Sequence, residues 1–280
     1  MKIIRLKKEL IAEIELFKSA GKAIGFVPTM GALHEGHKAL IAQSVIENDI
    51  CVVSIFVNPT QFNNPADLEK YPRDLHRDAE MLESVGCHVI FAPDATEIYN
   101  SEEISNPFNF DFGGLDKVME GKFRPGHFNG VVQIVSKLFQ VVQPDKAYFG
   151  EKDFQQLAII HHMVKTMNFA VEIVDCPIVR EPSGLAMSSR NERLNYDQRK
   201  KAAEIYKVLF ESRNFAPQLT PNQLTQWVIE KINKVAELKV EYFEIVNASS
   251  LQTLNSWSEP SVGCIAVFCG EVRLIDNIRY

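Results

Sequence analysis

The chain has 280 residues, of which 46% are hydrophobic and 24% charged, a composition typical of a globular protein with one large domain or two ordinary ones. Its formal net charge of −6 argues against a general nucleic-acid binder, because that class needs a basic surface for phosphates. A small anionic ligand is not excluded, since a few backbone N–H groups and cations suffice to bind one. The five cysteines lack the C-x-x-C spacing of a zinc site, so we expect neither disulfides nor structural zinc.

The N-terminal stretch, residues 1–26, alternates charged and apolar side chains without an uninterrupted apolar segment. This pattern predicts a helix and not a signal peptide. Elsewhere, no apolar run approaches the roughly 18 residues that a membrane-spanning helix requires. The sequence therefore predicts a cytoplasmic protein that does not bind membranes.

From residue 22 to residue 177, short β-type segments alternate with amphipathic helical ones. The clearest strand prediction is 49–59, an apolar, β-branched run of the kind that is buried on both faces of a parallel sheet. Such alternation predicts an α/β fold with a Rossmann-like, doubly wound parallel sheet. The predicted strands are 22–28, 49–59, 87–93, 146–150 and 170–177, and the predicted helices are 36–48, 74–86, 130–144 and 151–168.

The character of the sequence changes after REPSGLAMSSRN (180–191). Two helices are predicted there, 196–214 and 220–235, the second with Thr220 as N-cap and Pro221 at its first position. Three strands follow, 239–248, 264–270 and 271–277, with a tight connection at Gly270 between the last two. We therefore expect two domains, residues 1–182 and a smaller C-terminal α+β domain, residues 183–280, that closes over the functional site.

Polar segments follow three of the predicted strands. In a doubly wound sheet, ligands bind beyond the carboxyl ends of the strands, so these segments are expected to share one rim. They are PTMGALHEGH (28–37), NPTQF (58–62) and FGEKD (149–153).

His34 and His37 stand three residues apart at a predicted helix start, so both rings can lie on one face. Three interpretations are open: metal ligands, phosphate ligands, or two solvated surface residues. A zinc site would need H-E-x-x-H or a third ligand, and neither is evident in H-E-G-H. Phosphate is favoured, because Gly31 and Gly36 give a ligand access to the backbone and the helix N-terminus supplies N–H donors.

Two uncharged amides, Asn58 and Gln61, follow the buried strand, and such groups suit a hydroxy-acid substrate, although a plain strand-closing turn would also use them.

Lys152 lies at a predicted helix start, where a cation opposes the helix dipole and is better explained by a bound anion. Gln156 follows one turn later and is expected to face the same cleft. The loop 187–191 (MSSRN) offers hydroxyls and a guanidinium of the kind that hold phosphates, or else is ordinary surface.

The sequence has neither G-x-x-x-x-G-K-[ST], which argues against a P-loop ATPase, nor the G-x-G-x-x-G of dinucleotide-binding sites. Taken together, the segments predict a nucleotide-phosphate site on an α/β rim, next to a neutral polar pocket.

The same segments, in their order and spacing, resemble the pantothenate synthetase (pantoate–β-alanine ligase) family. The resemblance rests on PTMGALHEGH, VSIFVNPTQF, YPRD, EGKFRPGHFNGV, KLFQVVQPDKAYFGEKDFQQL, REPSGLAMSSRN and RLIDN, which span nearly the whole chain. This family belongs to the nucleotidyl-transferases with an H-x-G-H motif. The resemblance implies ATP-dependent ligation of (R)-pantoate and β-alanine through a pantoyl adenylate, with release of AMP and pyrophosphate.

The resemblance also implies roles for particular residues. The implied catalytic residues are His37, His34, Lys152, Ser188, Ser189 and Arg190. The implied ATP-binding residues are Met30, Gly31, Ala32, Leu33, His34, Glu35, Gly36, His37, Gly150, Glu151, Lys152, Asp153, Val179, Met187, Ser188, Ser189 and Arg190. Gln61 and Gln156 are expected to hold pantoate, with Asn58 and Met30 nearby. Mg²⁺ is expected mainly on the ATP oxygens, with Asp78 as the candidate protein contribution.

Three other functions fit the sequence less well than the ligase. An adenylyltransferase acting on a second phosphate would need a basic pocket, whereas Asn58, Gln61 and Gln156 are neutral. An aminoacyl-tRNA synthetase is disfavoured by the acidic charge and the missing RNA-binding appendage. A nucleotide sensor without turnover would not be expected to retain His37 and Lys152. We therefore expect the chain to bind small-molecule substrates and no nucleic acid. The resemblance also implies a homodimer, which is the usual state of the family.

Overall fold

The computed structural model describes residues 1–62, 68–69, 71–100, 102–103, 108–216, 218–257 and 259–280. These residues form two compact units. The first unit comprises Met1–Asp116, Gly121–Gly150 and Gln156–Cys176, and the second comprises Lys117–Glu120, Glu151–Gln155 and Pro177–Tyr280. The longest stretch of the second unit thus begins at Pro177, a few residues before the boundary expected from the sequence. The second unit also includes Lys117–Glu120 and Glu151–Gln155, which the sequence analysis had placed in the first domain.

The first unit is built on a six-stranded parallel sheet, which confirms the predicted fold class. Its strands lie in the order β1-β4-β3-β2-β5-β6. The sheet core is apolar and β-branched, as in β3, whose residues are almost all buried because helices cover both faces. The strands are β1 (Lys2–Ile4), β2 (Ile24–Thr29), β3 (Ile50–Ile55), β4 (Val89–Phe91), β5 (Lys146–Gly150) and β6 (Glu172–Cys176).

Seven helices accompany the described segments up to β6. Most correspond to helices expected from the sequence, with ends shifted by a few residues. They are α1 (Lys7–Ser19), α2 (Glu35–Glu47), α3 (Leu75–Ser84), α4 (Ala95–Ile98), α5 (Met119–Phe123), α6 (His127–Val142) and α7 (Phe154–Thr166). Among the described residues, none of the helices is both long and apolar enough to cross a membrane.

The prediction of a helix over residues 1–26 is wrong at its N-terminal end, and at its C-terminal end the overlapping prediction of a strand over 22–28 is the one that is confirmed, as β2. Lys2–Ile4 is strand β1, which pairs in parallel with β4, and the chain has already entered β2 by Ile24. Only Lys7–Ser19 is helical, with Leu10 and Ile14 buried. A three-residue strand leaves no periodicity in the sequence, because it is defined by backbone pairing with a strand far along the chain.

The direction of strand addition reverses between β2 and β5. From β2 the sheet grows to β3 and β4 on one side, and β5 and β6 lie on the other. Ligands in doubly wound sheets bind beyond the carboxyl ends of the strands at such a reversal. The segment after Thr29, at the end of β2, therefore lies where a ligand is expected.

The second unit has a three-stranded antiparallel sheet, as predicted for a smaller α+β part. Its strands are β7 (Leu238–Asn247), β8 (Ser261–Cys269) and β9 (Val272–Arg279), and its helices are α8 (Tyr196–Ser212) and α9 (Pro221–Asn233). Thr220 caps α9 in a capping box with Gln223, and Pro221 occupies the first position, as predicted. Gly270, with φ of +56°, makes the tight connection between β8 and β9.

Candidate functional site

The loop that follows β2 is fixed by hydrogen bonds from its own backbone. The amide of Gly31 donates to Oγ1 of Thr29 (3.2 Å), and Thr29 in turn donates to the carbonyl of Ser54 (2.7 Å). The next two amides, of Ala32 and Leu33, donate to the two carboxylate oxygens of Asp78 (3.0 and 2.8 Å). Asp78 is buried on α3, so its carboxylate acts as a fixed clamp for the loop.

Burial raises the pKa of Asp78, while the two amide hydrogen bonds oppose that shift by favouring the ionised form. The predicted contribution of Asp78 to Mg²⁺ binding stays a prediction; in the structure this carboxylate orients the loop. Gly31 and Ala32 both have left-handed backbone angles, with φ of +81° and +51°. Since a non-glycine residue rarely adopts that region, the clamp on the amide of Ala32 holds a conformation that costs energy.

His34 and His37 form a capping box at the start of α2. Nδ1 of His34 accepts from the amide of Gly36 (3.1 Å), and Nδ1 of His37 accepts from the amide of His34 (3.3 Å). An imidazole nitrogen that accepts a hydrogen bond carries no proton, so each neutral ring bears its proton on Nε2. The two ring centroids are 4.1 Å apart. The sequence element therefore builds a pair of adjacent Nε2–H donors, which suits phosphate oxygens.

The described residues contain no group of three or more His, Cys, Asp or Glu side chains that would hold a metal ion. Both histidines instead use Nδ1 to accept backbone amides at the helix start. The geometry therefore favours the phosphate interpretation over the metal interpretation.

Asn58 and Gln61 lie in the short 3-10 turn region after β3 and are both buried. The side-chain amide of Asn58 donates to the carbonyl of Gly130 (3.0 Å) and to Oε1 of Gln61 (3.3 Å), and its oxygen accepts from the hydroxyl of Tyr99 (2.8 Å). Burial raises the pKa of Tyr99 to about 12, so this phenol stays a donor at neutral pH. Asn58 is thereby engaged on both sides and holds Gln61 in place.

Gln61 connects the loops after β2 and β3. Its Nε2 donates to Sδ of Met30 (2.7 Å), and its backbone carbonyl contacts Nδ1 of His127 on α6 (2.9 Å). Two of the sequence-predicted substrate residues, Met30 and Gln61, are therefore in contact. The loop after β2 thus carries Met30 and leads to the histidine pair, and the loop after β3 carries the neutral amide of Gln61. Both loops belong to the first unit.

Gly130 is a site-supporting residue that the sequence did not reveal. A Cβ atom at this position in α6 would lie 2.5 Å from the carbonyl oxygen of Thr60 and 2.6 Å from the amide nitrogen of Gln61. The helix can approach the turn this closely only because the residue has no side chain. Because the predicted helix starts at residue 130, the sequence pattern did not show that this glycine lies inside a helix, whereas the structure starts α6 at His127.

Gln156 and Gly150 also belong to the first unit. Gly150 ends β5, and Gln156 lies in the first turn of α7 with a half-buried side chain. Within the described part of the chain, the side-chain amide of Gln156 has no hydrogen-bond partner. This half-buried amide therefore has donors and acceptors available for a polar ligand.

Lys152 lies in the second unit, in a 3-10 turn, Glu151–Asp153, that directly precedes α7. Its side chain is only 17% exposed, and Nζ lies 3.6 Å from the carboxylate of Asp153. Strand β9 packs against this turn and also against the 3-10 segment Ser189–Arg193. The two segments of the second unit that were predicted to bind phosphates thus rest on the same strand.

The loop Met187–Arg190 is tied to a short hairpin. The amide of Met187 donates to the carbonyl of Val179 (2.9 Å), and Arg180 and Ala186 form a β-bridge. Oγ of Ser188 accepts from the amide of Arg190 (3.3 Å) and so caps the segment Ser189–Arg193. Among the predicted ATP-binding residues, Val179 is therefore hydrogen-bonded to Met187.

Ionic groups that the sequence did not single out hold this hairpin. Arg180 donates to both oxygens of Asp276 on β9 (2.7 and 2.9 Å) and stacks on the ring of Tyr206. The carboxylate of Glu181 accepts from Arg199 (2.7 and 2.9 Å) and from the side-chain amide of Asn191 (2.9 Å). The partners are far apart in sequence, so spacing gave no sign of them.

Comparison with known proteins confirms the resemblance noted from the motifs. The family model described as pantoate-beta-alanine ligase matches residues 2–279. A protein from Bacteroides fragilis named pantothenate synthetase is 55% identical over 100% of this chain and 99% of its own length. Another of that name, from Christiangramia forsetii, is 50% identical and covers 99% of each chain.

Two solved structures agree over the same span. Pantothenate synthetase from Thermus thermophilus superimposes with a TM-score of 0.91 at 41% identity and 99% coverage of both chains. Pantoate-beta-alanine ligase from Francisella tularensis, in a complex with "Beta-gamma ATP and Beta-alanine", gives a TM-score of 0.83 at 37% identity, covering 100% of this chain and 97% of the other. The chain belongs to the pantoate–β-alanine ligase family.

Proposed function

We propose that this chain catalyses the ATP-dependent ligation of (R)-pantoate and β-alanine to pantothenate, with AMP and pyrophosphate as the other products. The observation that carries this proposal is the histidine capping box at the start of α2, together with the Met30–Gln61 contact between the loops after β2 and β3, in a chain that belongs to the pantoate–β-alanine ligase family. A relative of this chain has been solved with an ATP ligand and β-alanine.

The first step is the attack of a pantoate carboxylate oxygen on the α-phosphorus of ATP, with pyrophosphate leaving. The attacking carboxylate is already ionised at neutral pH, so this step needs no general base. The Nε2–H groups of His34 and His37 donate to the phosphate oxygens as charge builds up there. The cation of Lys152 and the Ser188–Arg190 segment bind the remaining phosphates, and Val179 contacts the adenine.

In the second step, the neutral amine of β-alanine attacks the acyl carbon of pantoyl adenylate. AMP leaves with the electrons of the broken C–O bond, and the amine loses a proton as the amide forms. Gln61 and Gln156 hold pantoate through both steps, with Asn58 and Met30 beside them. The side-chain amide of Gln61, clamped by Asn58, also borders the β-alanine amine.

We propose that Mg²⁺ enters with ATP, coordinated mainly by phosphate oxygens, because this hard cation is usually bound through substrate phosphates and one or two carboxylates. We also propose a cytoplasmic homodimer. All five cysteines are buried thiols, which fits a reducing compartment. Light scattering on the purified protein tests the dimer.

The decisive experiment measures AMP released from ATP and pantoate, with and without β-alanine. The ligase produces AMP at a steady rate only when β-alanine is present, together with an equal amount of pantothenate. A steady rate that is independent of β-alanine, or no AMP at all, would contradict the assignment.

A further inference from the structure

Asn277, near the end of β9, contacts the backbone of the turn that carries Lys152. Its Nδ2 donates to the carbonyl oxygen of Glu151 (2.8 Å) and to that of Lys152 itself (3.1 Å). We propose that Asn277 is a positioning residue, which fixes the turn so that the Lys152 ammonium is aimed at the ATP phosphates. This inference rests on the function proposed above.

The position of Asn277 is itself fixed by the strand that carries it. The residue is 5% exposed, and its backbone amide donates to Oδ1 of Asp276 (2.8 Å), whose carboxylate is paired with Arg180. In the sheet, Asn277 is in register with Cys264 of β8. The donor therefore comes from a strand whose position is set by antiparallel pairing along its length.

The turn is a three-residue 3-10 segment, Glu151–Asp153, that runs directly into α7. The carbonyl oxygens of Glu151 and Lys152 both receive the side-chain amide of Asn277, so one side chain restrains two consecutive peptide groups of the turn. The carboxylate of Glu151 is also fixed from the same strand, by Arg279 at 2.6 Å. Asn277 adds the restraint on the carbonyl of Lys152, which determines where its side chain starts.

Lysine is a flexible cation on a four-carbon stem, so its contribution to a phosphate site depends on where its backbone directs it. Misplacing a binding group by about 1 Å can lower a rate roughly 100-fold even when the substitution lies away from the chemistry. The proposed role depends on the side-chain N–H groups of Asn277, because aspartate has nearly the same shape but, when ionised, cannot donate to a carbonyl oxygen.

The test compares Asn277→Asp, Lys152→Ala and the double variant in steady-state pantothenate formation, with the concentrations of ATP and β-alanine varied in turn. We expect Asn277→Asp to lower kcat/KM for ATP roughly 10- to 100-fold and to leave the KM for β-alanine near that of the wild type. In the Lys152→Ala background, the same change should cause no further loss, because the side chain that it positions is gone. A full, multiplicative loss in the double variant would overturn the proposal.

Asn233→Asp is the matched control. Asn233 is an exposed residue at the end of α9 whose oxygen accepts from the amide of Val240, a hydrogen bond that aspartate can keep, so activity should be unchanged. If Asn277→Asp does not fold, as judged by thermal unfolding, Asn277→Ser, which retains one donor, is measured in the same cycle. If both variants fail to fold, Asn277 is needed for the stability of the protein and not specifically for the orientation of the turn, and the proposal is wrong. Absence of β-alanine-dependent AMP in the wild type would instead refute the proposed function.

Discussion

Gly31 and Asp78 meet so closely that no side chain fits between them. A Cβ atom on residue 31 would lie 2.9 Å from Oδ2 of Asp78 and 3.0 Å from Cγ2 of Ile55. The same carboxylate oxygen accepts the amide of Ala32, so displacing it would release the loop that leads to the histidine pair. The absence of a side chain at Gly31 therefore allows Asp78 to reach the amide of Ala32.

Replacing Gly31 with alanine should reduce both stability and activity. The left-handed φ alone costs a non-glycine residue roughly 1–2 kcal/mol, and the contact with Asp78 adds to it. We expect a larger KM for ATP and a smaller kcat, measured by steady-state AMP release, with denaturant unfolding for stability.

Gly21→Ala separates the two causes of that loss. Gly21 also has a left-handed φ, +68°, but a Cβ atom there would meet nothing within 4 Å. Gly21→Ala should therefore lose only the backbone contribution and keep its activity. Equal effects of the two substitutions on activity would show that the contact between Gly31 and Asp78 is irrelevant to the site.

At Gly130, alanine should have the opposite effect to the usual one in a helix. An alanine in a helix interior is normally more stable than glycine by roughly 0.5–1 kcal/mol. Here the added Cβ would collide with Thr60 and Gln61, so we expect a loss of roughly 1–3 kcal/mol, as for other overpacked sites. The KM for pantoate should rise as Gln61 moves. A stabilised variant with normal kinetics would mean that α6 and the turn separate without cost.

The sheet could be predicted from sequence because its strands carry their own signal. Residues 50–55 form an apolar, β-branched run that is buried on both faces, and Thr220 with Pro221 indicated the start of α9. The rim position of the histidines followed from the strand before them. These features depend on residues that are neighbours along the chain.

The supports of the site could not be predicted in that way. Asp78 reaches Leu33 over 45 positions, Gly130 meets Thr60 from another element, and Asp276 reaches Arg180 over 96 positions. Each contact joins segments that only the folded chain brings together. The strand Lys2–Ile4 escaped prediction for the same reason, since its definition lies in its pairing with β4.

His37→Ala should lower kcat by roughly 100-fold or more, as for the loss of one electrostatic donor to a transition state. The variant also loses the acceptor for the amide of His34, so the capping box opens. His161→Ala is the matched control: His161 is an exposed residue on α7, paired with Asp175, and its loss should leave kcat unchanged. Activity of His37→Ala within a few fold of the control would refute the role of His37 in catalysis.

Glu181 predicts a pH dependence of stability. The Arg199 guanidinium, and then the side-chain amide of Asn191, hold the pKa of Glu181 below the usual glutamate value of about 4.3. Between the two pKa values the unfolded chain binds more protons than the native one, so the free energy of unfolding falls as pH falls. The contribution is complete above the unfolded pKa and is lost as pH drops through the native pKa.

Glu181→Gln should therefore flatten the decline of the unfolding free energy as pH falls below the usual glutamate pKa of about 4.3, measured by urea titration at each pH. Glu204→Gln serves as the control, because its ion pair with Lys207 is exposed and contributes little. If both variants follow the pH profile of the wild type, Glu181 gives no acid-sensitive stability to the hairpin.

The late position of β9 in the chain limits when the turn at Lys152 can reach its final structure during synthesis. The carbonyl of Lys152 receives its hydrogen bond from a residue 125 positions further along the chain. A ribosome must therefore extend the chain well past the parallel sheet before the turn at Lys152 can be fixed. The sheet of the first unit has all its strands once Cys176 has emerged, whereas the lysine turn is secured only by β9, which is made later.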